Sequence, residues 1–195
     1  MVTSRGMADA QKLQQVYTAL KKKFSNRKLV FGMGAIGSKI VLVTDHPGQD
    51  GAKEGKPIAG DNGKLLNKLL RSAGIDAKKV YFTNVIKYHP KDKKPASKEI
   101  RSYVPFLKEE IRMVGPKVVV TLGDTALNSI GLRQPLSNVH GKTFNFGSYT
   151  LIPTFHPEMA AKDPEIQILL AADLSKLKGI VAEITAKAEA EKEQL

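Results

Sequence analysis

The sequence predicts an α/β protein: a three-layer α/β/α sandwich with a central, mostly parallel four-stranded sheet. Four short apolar runs rich in β-branched residues lack the alternation of half-exposed strands, which is typical of strands covered on both faces. Segments with helical spacing of apolar residues separate these runs, so consecutive strands are joined by crossovers and lie parallel. The chain has 195 residues, 42% of them hydrophobic, which is enough for one domain with a sizeable core.

The predicted elements alternate along the chain. Strands are expected at Lys39–Thr44, Val80–Asn84, Lys117–Leu122 and Tyr149–Pro153. Helices are expected at about Asp9–Lys22, at Asn62–Ala73, Ser97–Met113 and Asp124–Ile130, and from about Glu165 into a polar tail. The leucines of the Asn62–Ala73 segment form one stripe, and Gly74 follows as a left-handed stop. We expect residues 1–195 to form a single domain.

Composition narrows the function classes. The chain has no cysteine, which excludes disulfides, thiolate nucleophiles and cysteine-held zinc or iron–sulfur sites. No apolar stretch approaches the length of a membrane span, and the first residues lack the apolar core of a signal peptide. We therefore expect a cytoplasmic protein with no membrane partner. We further expect it to be a nucleoid-associated monomer.

The net charge of +12 is unevenly distributed. Residues 21–28 hold five cations and no acid, and residues 87–101 hold six cations against two acids. These segments are either two solvated faces or two edges of a phosphate-binding surface. A polyanion, most simply nucleic acid, is the partner that such a charge favours.

Polar residues follow the predicted strands, where ligands of parallel sheets bind. Asp45, His46 and Asp50 follow the first strand and suit proton or water chemistry, although a polar turn with a helix cap explains them as well. Asn84 ends the second strand, where its amide reads a nucleobase edge or ties up loop backbone. His156 follows the fourth strand. Several polar loops at one rim favour a site.

Taken in order, six segments between Phe31 and Leu177 resemble the uracil-DNA glycosylase superfamily, and most nearly its family 4 branch. The matching segments are Thr44-Asp45-His46-Pro47-Gly48, Gly55-Lys56-Pro57-Ile58-Ala59-Gly60, Gly63-Lys64-Leu65-Leu66, Thr83-Asn84-Val85-Ile86-Lys87, Leu122-Gly123-Asp124-Thr125-Ala126 and Pro153-Thr154-Phe155-His156-Pro157-Glu158. The resemblance implies an enzyme that flips a deaminated base, most simply uracil, out of DNA and hydrolyses its N-glycosidic bond.

The resemblance also implies roles for individual residues. The implied catalytic residues are Asp45, His46, Asp50 and His156. His156 would donate to the pyrimidine O2, and either Asp45 or Asp50 would hold the water and face the sugar cation, with His46 sharing that role. The implied base-binding residues are Pro47, Gly48, Ile58 and Asn84. The implied DNA-binding residues are Lys87, Lys91, Lys93, Lys94, His140, Lys142 and Glu158.

The chain departs from the family pattern at several positions. Members of that branch hold an iron–sulfur cluster with four cysteines, and the matching positions here are Tyr88, Tyr103 and, near the N-terminus, Tyr17 and Leu20. We therefore expect no cofactor and no metal, and an aromatic plug in which Tyr17, Tyr88 and Tyr103 cluster. Ile58 replaces the aromatic residue that stacks on the base.

Two alternatives to uracil excision remain open. Ile58, His46 and Glu158 are consistent with a glycosylase of altered specificity, which would act on hypoxanthine or another deaminated base. A non-catalytic DNA-binding module on the same fold is the other alternative. Replacing Asp45 and His156 separates an enzyme from a binding module, because only an enzyme would lose turnover.

Overall fold

The computed structural model describes residues 4–91 and 94–193. Its helices are α1 (Ser4–Lys23), α2 (Gly48–Glu54), α3 (Gly60–Ser72), α4 (Ser97–Val114), α5 (Asp124–Ile130), α6 (Leu136–Val139), α7 (Pro157–Lys162), α8 (Pro164–Ser175) and α9 (Leu177–Glu193). Its strands are β1 (Ile40–Thr44), β2 (Val80–Asn84), β3 (Val118–Leu122), β4 (Phe144–Asn145) and β5 (Thr150–Thr154). A single 3₁₀ turn, Ala77–Lys79, leads into β2.

The five strands form one sheet in the order β2-β1-β3-β5-β4. The four predicted strands pair in parallel, with Thr44 opposite Asn84 and Leu122 opposite Thr154. The predicted fold class is therefore confirmed. Strand β4, which pairs antiparallel with β5 at the sheet edge, was not predicted. Its two residues are too few to produce a hydrophobic pattern.

The apolar strand residues divide between the two faces of the sheet. Val41 and Val43 face a core that includes residues of α1, α4 and α5. Ile40 and Leu42 face a second core that includes residues of α3 and α8 and the start of α9. Since successive side chains of a strand point to opposite faces, strands covered on both sides need continuous apolar runs. This is the pattern seen in the sequence.

Several helices differ from their predicted bounds. The first helix begins earlier than expected, and the C-terminal helix is divided at Lys176 into α8 and α9. Helix α4 continues through Pro105 and ends at Gly115, whose φ of 67° is left-handed. The loop predicted after the first strand contains α2, whose start directly follows Pro47. In the part of the chain that the structure describes, no helix is long and apolar enough to cross a membrane.

Candidate active site

The carboxyl ends of β1, β2 and β5 bring the predicted polar residues to one rim of the sheet. Asp45 directly follows β1, Asn84 ends β2, and His156 follows β5. The backbone N–H of Ile86 donates to the carbonyl of Asp45, which ties the loop after β2 to the loop after β1. The parallel sheet thus brings side chains from distant parts of the sequence to one rim, where Asp45 and His156 line the same cavity.

The Asp45 carboxylate lies between two imidazole rings. Its Oδ1 is 3.6 Å from His156 Nε2, and its Oδ2 is 3.5 Å from His46 Nε2. Oδ1 also accepts a hydrogen bond of 2.8 Å from the backbone N–H of His46. The side chain of Asp45 is 35% exposed and that of His156 only 16%. One carboxylate is therefore held beside two ring nitrogens at the mouth of the site.

Both histidines belong to His-Pro turns that fix the orientation of their rings. Nδ1 of His156 accepts a hydrogen bond of 3.1 Å from the backbone N–H of Glu158. In the same way, Nδ1 of His46 accepts one of 3.2 Å from the N–H of Gly48. A neutral imidazole that accepts at Nδ1 carries its proton on Nε2. Each ring therefore presents an Nε2–H donor toward Asp45.

The pKa of His156 lies below the ordinary value for a histidine. Burial is the main cause, because it disfavours the charged ring, and the charge of His46 acts in the same direction. The carboxylates of Asp45 and Glu158 oppose this shift without cancelling it. His156 is therefore neutral at pH 7 and acts as a hydrogen-bond donor rather than as a cation.

The cavity beside this pair has a volume of about 70 Å³. It is lined by Asp45, His46, Pro47, Gly48, Gln49, Asp50, Ile58, Ala59, Asn62, His156 and Glu158. Asp50 lies on the first turn of α2 and packs against Gly60, where a side chain would collide with the Asp50 carboxylate. Gly60 has a φ of 61°, so this close approach depends on glycine. Eight of the predicted site residues therefore line one cavity: Asp45, His46, Pro47, Gly48, Asp50, Ile58, His156 and Glu158.

Asn84, at the end of β2, is 1% exposed and is not among the residues that line this cavity. Its Nδ2 donates to the hydroxyl of Thr44 and, at 2.9 Å, to the carbonyl of Pro57. Its Oδ1 is buried and has no partner among the described residues. Thr44 and Pro57 orient the amide, and the sequence analysis missed both roles. The register of β1 against β2, which places Thr44 opposite Asn84, is the signal that identifies Thr44.

Lys87 was predicted to contact DNA, and the structure shows that this prediction is wrong. Its side chain is 1% exposed, and its Nζ lies 2.5 Å from Glu110 Oε2. Glu110 also accepts hydrogen bonds from Tyr17, Tyr81 and Thr83. A buried carboxylate needs such partners, and Lys87 supplies the compensating charge. Lys87 therefore stabilises the junction of β2 and α4 from inside the core.

The other predicted DNA contacts lie in different surroundings. Lys91, Lys94 and Lys142 are exposed, and Lys93 lies outside the described residues. Nδ1 of His140 is 2.9 Å from Asp173 Oδ2, which also accepts from Thr154. His140 thus belongs to a buried polar cluster beneath Phe155, whose ring centre is 4.8 Å from its own.

Glu158 is the remaining predicted DNA contact. It is exposed, and its carboxylate accepts a hydrogen bond of 2.7 Å from Lys162. This bond is the main reason that the pKa of Glu158 lies below its ordinary value, so the side chain is ionised at neutral pH. The contact that Glu158 makes to the site is its backbone N–H, which orients His156.

The positions that match cluster cysteines are filled by an aromatic group. Tyr103 is fully buried and stacks on Phe24, with ring centres 3.9 Å apart, and Tyr88 lies 6.3 Å from Tyr103. Tyr17 belongs to the same buried core as Tyr88 and Tyr103, where its ring stacks on Phe31 and its hydroxyl donates to Glu110. Iron–sulfur clusters are held by thiolates, so these residues do not fit one. Within the described ranges, no group of three or more His, Asp or Glu residues could hold a metal ion.

Comparisons with known proteins agree with this geometry. The family model of the uracil DNA glycosylase superfamily matches residues 31–175. A type-4 uracil-DNA glycosylase of Thermotoga maritima is 32% identical over 170 residues, which cover 84% of this chain and 88% of that protein. Enzymes of the same name from Sulfurisphaera tokodaii and Saccharolobus solfataricus are both 30% identical, over 75% and 78% of this chain and 72% and 76% of their own lengths. The chain therefore belongs to the uracil DNA glycosylase superfamily.

Proposed function

We propose that this protein is a DNA repair glycosylase that excises uracil from DNA and leaves an abasic site. The observation that carries the proposal is the placement of Asp45 Oδ1 3.6 Å from Nε2 of a neutral His156, with both residues lining one cavity. The similarity to type-4 uracil-DNA glycosylases supports the same activity. The proposed substrate is DNA in which the damaged base is flipped out of the helix, because the reacting bond is inaccessible in a stacked duplex.

Recognition of the base is assigned to Asn84. Its Nδ2 is held by Thr44 and Pro57, so its unpartnered Oδ1 is left to accept a hydrogen bond from the ligand. Uracil has an N3–H donor, whereas cytosine has an acceptor at the same position. A buried acceptor that finds a second acceptor loses its hydrogen bond, which costs ~1–3 kcal/mol. Asn84 would therefore favour uracil over cytosine.

The chemistry is assigned to His156 and Asp45. When the bond between C1′ of the sugar and N1 of uracil breaks, its electron pair stays with the base, and negative charge develops at O2. The Nε2–H of His156 stabilises that charge as a hydrogen-bond donor. Asp45 stabilises the oxocarbenium-like sugar and orients the water whose oxygen bonds to C1′. The proton that this water loses neutralises the departing uracil anion. Asp50 and His46 line the same cavity and would share the positioning of this water.

The residues that line the cavity favour one variant of this proposal, a glycosylase that prefers a deaminated base other than uracil. Ile58 supplies apolar contact without an aromatic face, and His46 and Glu158 stand at the same cavity. These residues would give the enzyme a different preference among deaminated bases, of which hypoxanthine is the most informative to test. A non-catalytic DNA-binding module is the remaining alternative.

A substrate panel separates these possibilities. Labelled oligonucleotides carrying uracil opposite guanine, uracil in a single strand, or hypoxanthine are incubated with excess enzyme and then cleaved with alkali at abasic sites. Excision of uracil by the wild-type protein and its loss in Asp45→Ala and His156→Ala are expected. Excision of hypoxanthine alone would assign a different substrate, and DNA binding without any excision would leave a binding module.

A further inference from the structure

Two cavities continue from the catalytic cavity along the surface between α4 and α5. The nearer has a volume of about 290 Å³ and shares Asp45 and His46 with the catalytic cavity. The farther has a volume of about 990 Å³ and shares Lys94, Ile100 and Thr125 with the nearer one. The shared residues make the three cavities one continuous path. The two cavities beyond the catalytic one together form the α4–α5 groove.

The charges of this groove are predominantly positive. Five exposed cations line it: Lys91, Lys94, Arg101, Lys108 and Arg133. None of the five forms an ion pair with a described residue, whereas Lys56, Lys162 and Lys187 on other surfaces are each 2.7 or 2.8 Å from a glutamate. Asp45 at the entrance and Asp124 are the acids among the described lining residues. The cations are therefore available to an anionic ligand.

The spacing of these cations suits a linear polyanion. Ser97, Arg101, Val104 and Lys108 recur at intervals of three and four residues, so they lie on one face of α4. From Ser97 to Lys108 this face extends over ~16 Å, since a helix rises 1.5 Å per residue. That length corresponds to about five phosphate spacings of a B-form strand, or fewer of a stretched one. The described lining includes no Phe or Tyr on which bases could stack.

We propose that the α4–α5 groove binds the DNA strand on one side of the flipped nucleotide through its phosphates. This inference rests on the proposed function, because a strand whose nucleotide enters the catalytic cavity has to leave along an adjoining surface. The groove begins at Asp45 and His46, where that nucleotide lies. Without aromatic platforms the binding is independent of sequence and depends on salt. Arg101, Lys108 and Arg133 thus join Lys91 and Lys94 as DNA-binding residues.

The test compares oligonucleotides of different lengths. The short one has uracil with two nucleotides on each side, and two longer ones add ten nucleotides on either the 5′ or the 3′ side. The test variant is Lys108→Glu/Arg133→Glu, at the end of the groove away from the cavity. The matched control is Arg71→Glu/Lys178→Glu, which makes the same charge change on exposed residues of α3 and α9, in the other helical layer. Urea unfolding verifies that both variants are folded.

For the wild-type protein and the control, we expect one of the two extensions, and not the other, to raise affinity. In the test variant that gain is expected to disappear, and the slope of log K against log salt for the extended strand should fall by ~1.4, about 0.7 for each lost phosphate contact. The control should keep wild-type single-turnover excision from the short oligonucleotide, because neither Arg71 nor Lys178 lines the catalytic cavity or the groove.

Other outcomes would overturn the inference. They are the absence of any one-sided gain in the wild-type protein, an unchanged gain in the test variant, or an equal loss in the control. Failure of the proposed function is a separate result, since it would appear as absence of excision from every oligonucleotide by the wild-type protein. Length-dependent binding is measured independently of excision, so the two failures are distinguishable.

Discussion

Asp45 and His156 meet across the rim of the sheet, with Oδ1 of the carboxylate 3.6 Å from Nε2 of the ring. They come from the ends of β1 and β5, which are separated in the sheet by β3. At 3.6 Å the two side chains are not hydrogen-bonded to each other, so both remain available to a ligand, as the proposed mechanism requires. The Glu158 N–H at His156 Nδ1 fixes which nitrogen donates, and this makes the histidine effective while neutral.

Replacing Asn84 tests the recognition of the base. Asn84→Ala removes the unpartnered Oδ1, so uracil loses a hydrogen bond, and we expect single-turnover excision to fall about ten- to a hundredfold, equivalent to ~1–3 kcal/mol. Thr44→Val is the matched control, since it leaves Oδ1 in place and removes only one partner of Nδ2. It should cost less than Asn84→Ala. Wild-type excision by Asn84→Ala would refute the assignment.

The lowered pKa of His156 predicts the pH dependence of both rate and stability. Because its pKa lies below 6.5, the ring becomes protonated only at a pH below that value. The single-turnover rate should therefore begin to fall with decreasing pH only below 6.5. Between 6.5 and the lowered pKa the unfolded state binds more protons than the folded state, so the free energy of unfolding decreases as the pH falls through this window. His156→Gln should remove this part of the pH dependence in urea titrations. An NMR titration that gave His156 a pKa above 6.5 would contradict the account.

The buried pair of Lys87 and Glu110 predicts a stability effect. Lys87→Met leaves the Glu110 charge without compensation, and we expect the free energy of unfolding to fall by ~3–5 kcal/mol. In Lys87→Met/Glu110→Gln the buried charge is gone while an acceptor oxygen remains for Tyr17, Tyr81 and Thr83, so part of the loss should be recovered. Urea unfolding measures both. A Lys87→Met protein of wild-type stability with weakened DNA binding would instead support the original prediction of a phosphate contact.

The aromatic plug makes a prediction about a single hydroxyl. Tyr103 is fully buried, and its hydroxyl has no partner among the described residues. Tyr103→Phe should therefore be as stable as wild type or more stable, because it removes a buried polar group that makes no hydrogen bond. Tyr103→Ala should lose ~3–5 kcal/mol, because it leaves a cavity beside Phe24. Equal destabilisation by both changes, measured by urea unfolding, would show that the hydroxyl contributes and the ring does not.

The sequence predicted the four parallel strands because their signal is local: each is a continuous apolar run covered on both faces. The positions of Asp45, Asn84 and His156 at one rim of the sheet were predictable because each lies at or directly after the end of a predicted strand, within a family motif. Lys87 was predicted wrongly as a DNA contact because its motif lies beside a basic loop. Only the packing of α4 against β2 places Glu110 next to the Lys87 ammonium group. The partners of a buried polar group depend on long-range contacts that no local pattern contains.

The groove between α4 and α5 was also beyond local patterns. Arg101 and Lys108 belong to a helix whose sequence shows only an apolar face and a charged face, and Arg133 lies in a loop after α5. Their common orientation appears only when the two helices are packed together. Thr44 and Pro57 became visible as partners of Asn84 for the same reason.

The most direct measurement is single-turnover excision of uracil by the wild-type protein and by Asp45→Asn, with DNA affinity measured on the same oligonucleotide. Asparagine keeps the shape of the side chain and removes its charge, so the variant should bind DNA at least as well as wild type. Its excision rate should fall by ~10²–10⁴, the range for loss of a positioned acid–base group. Equal excision rates for the two proteins would contradict the assignment of Asp45 as a catalytic residue.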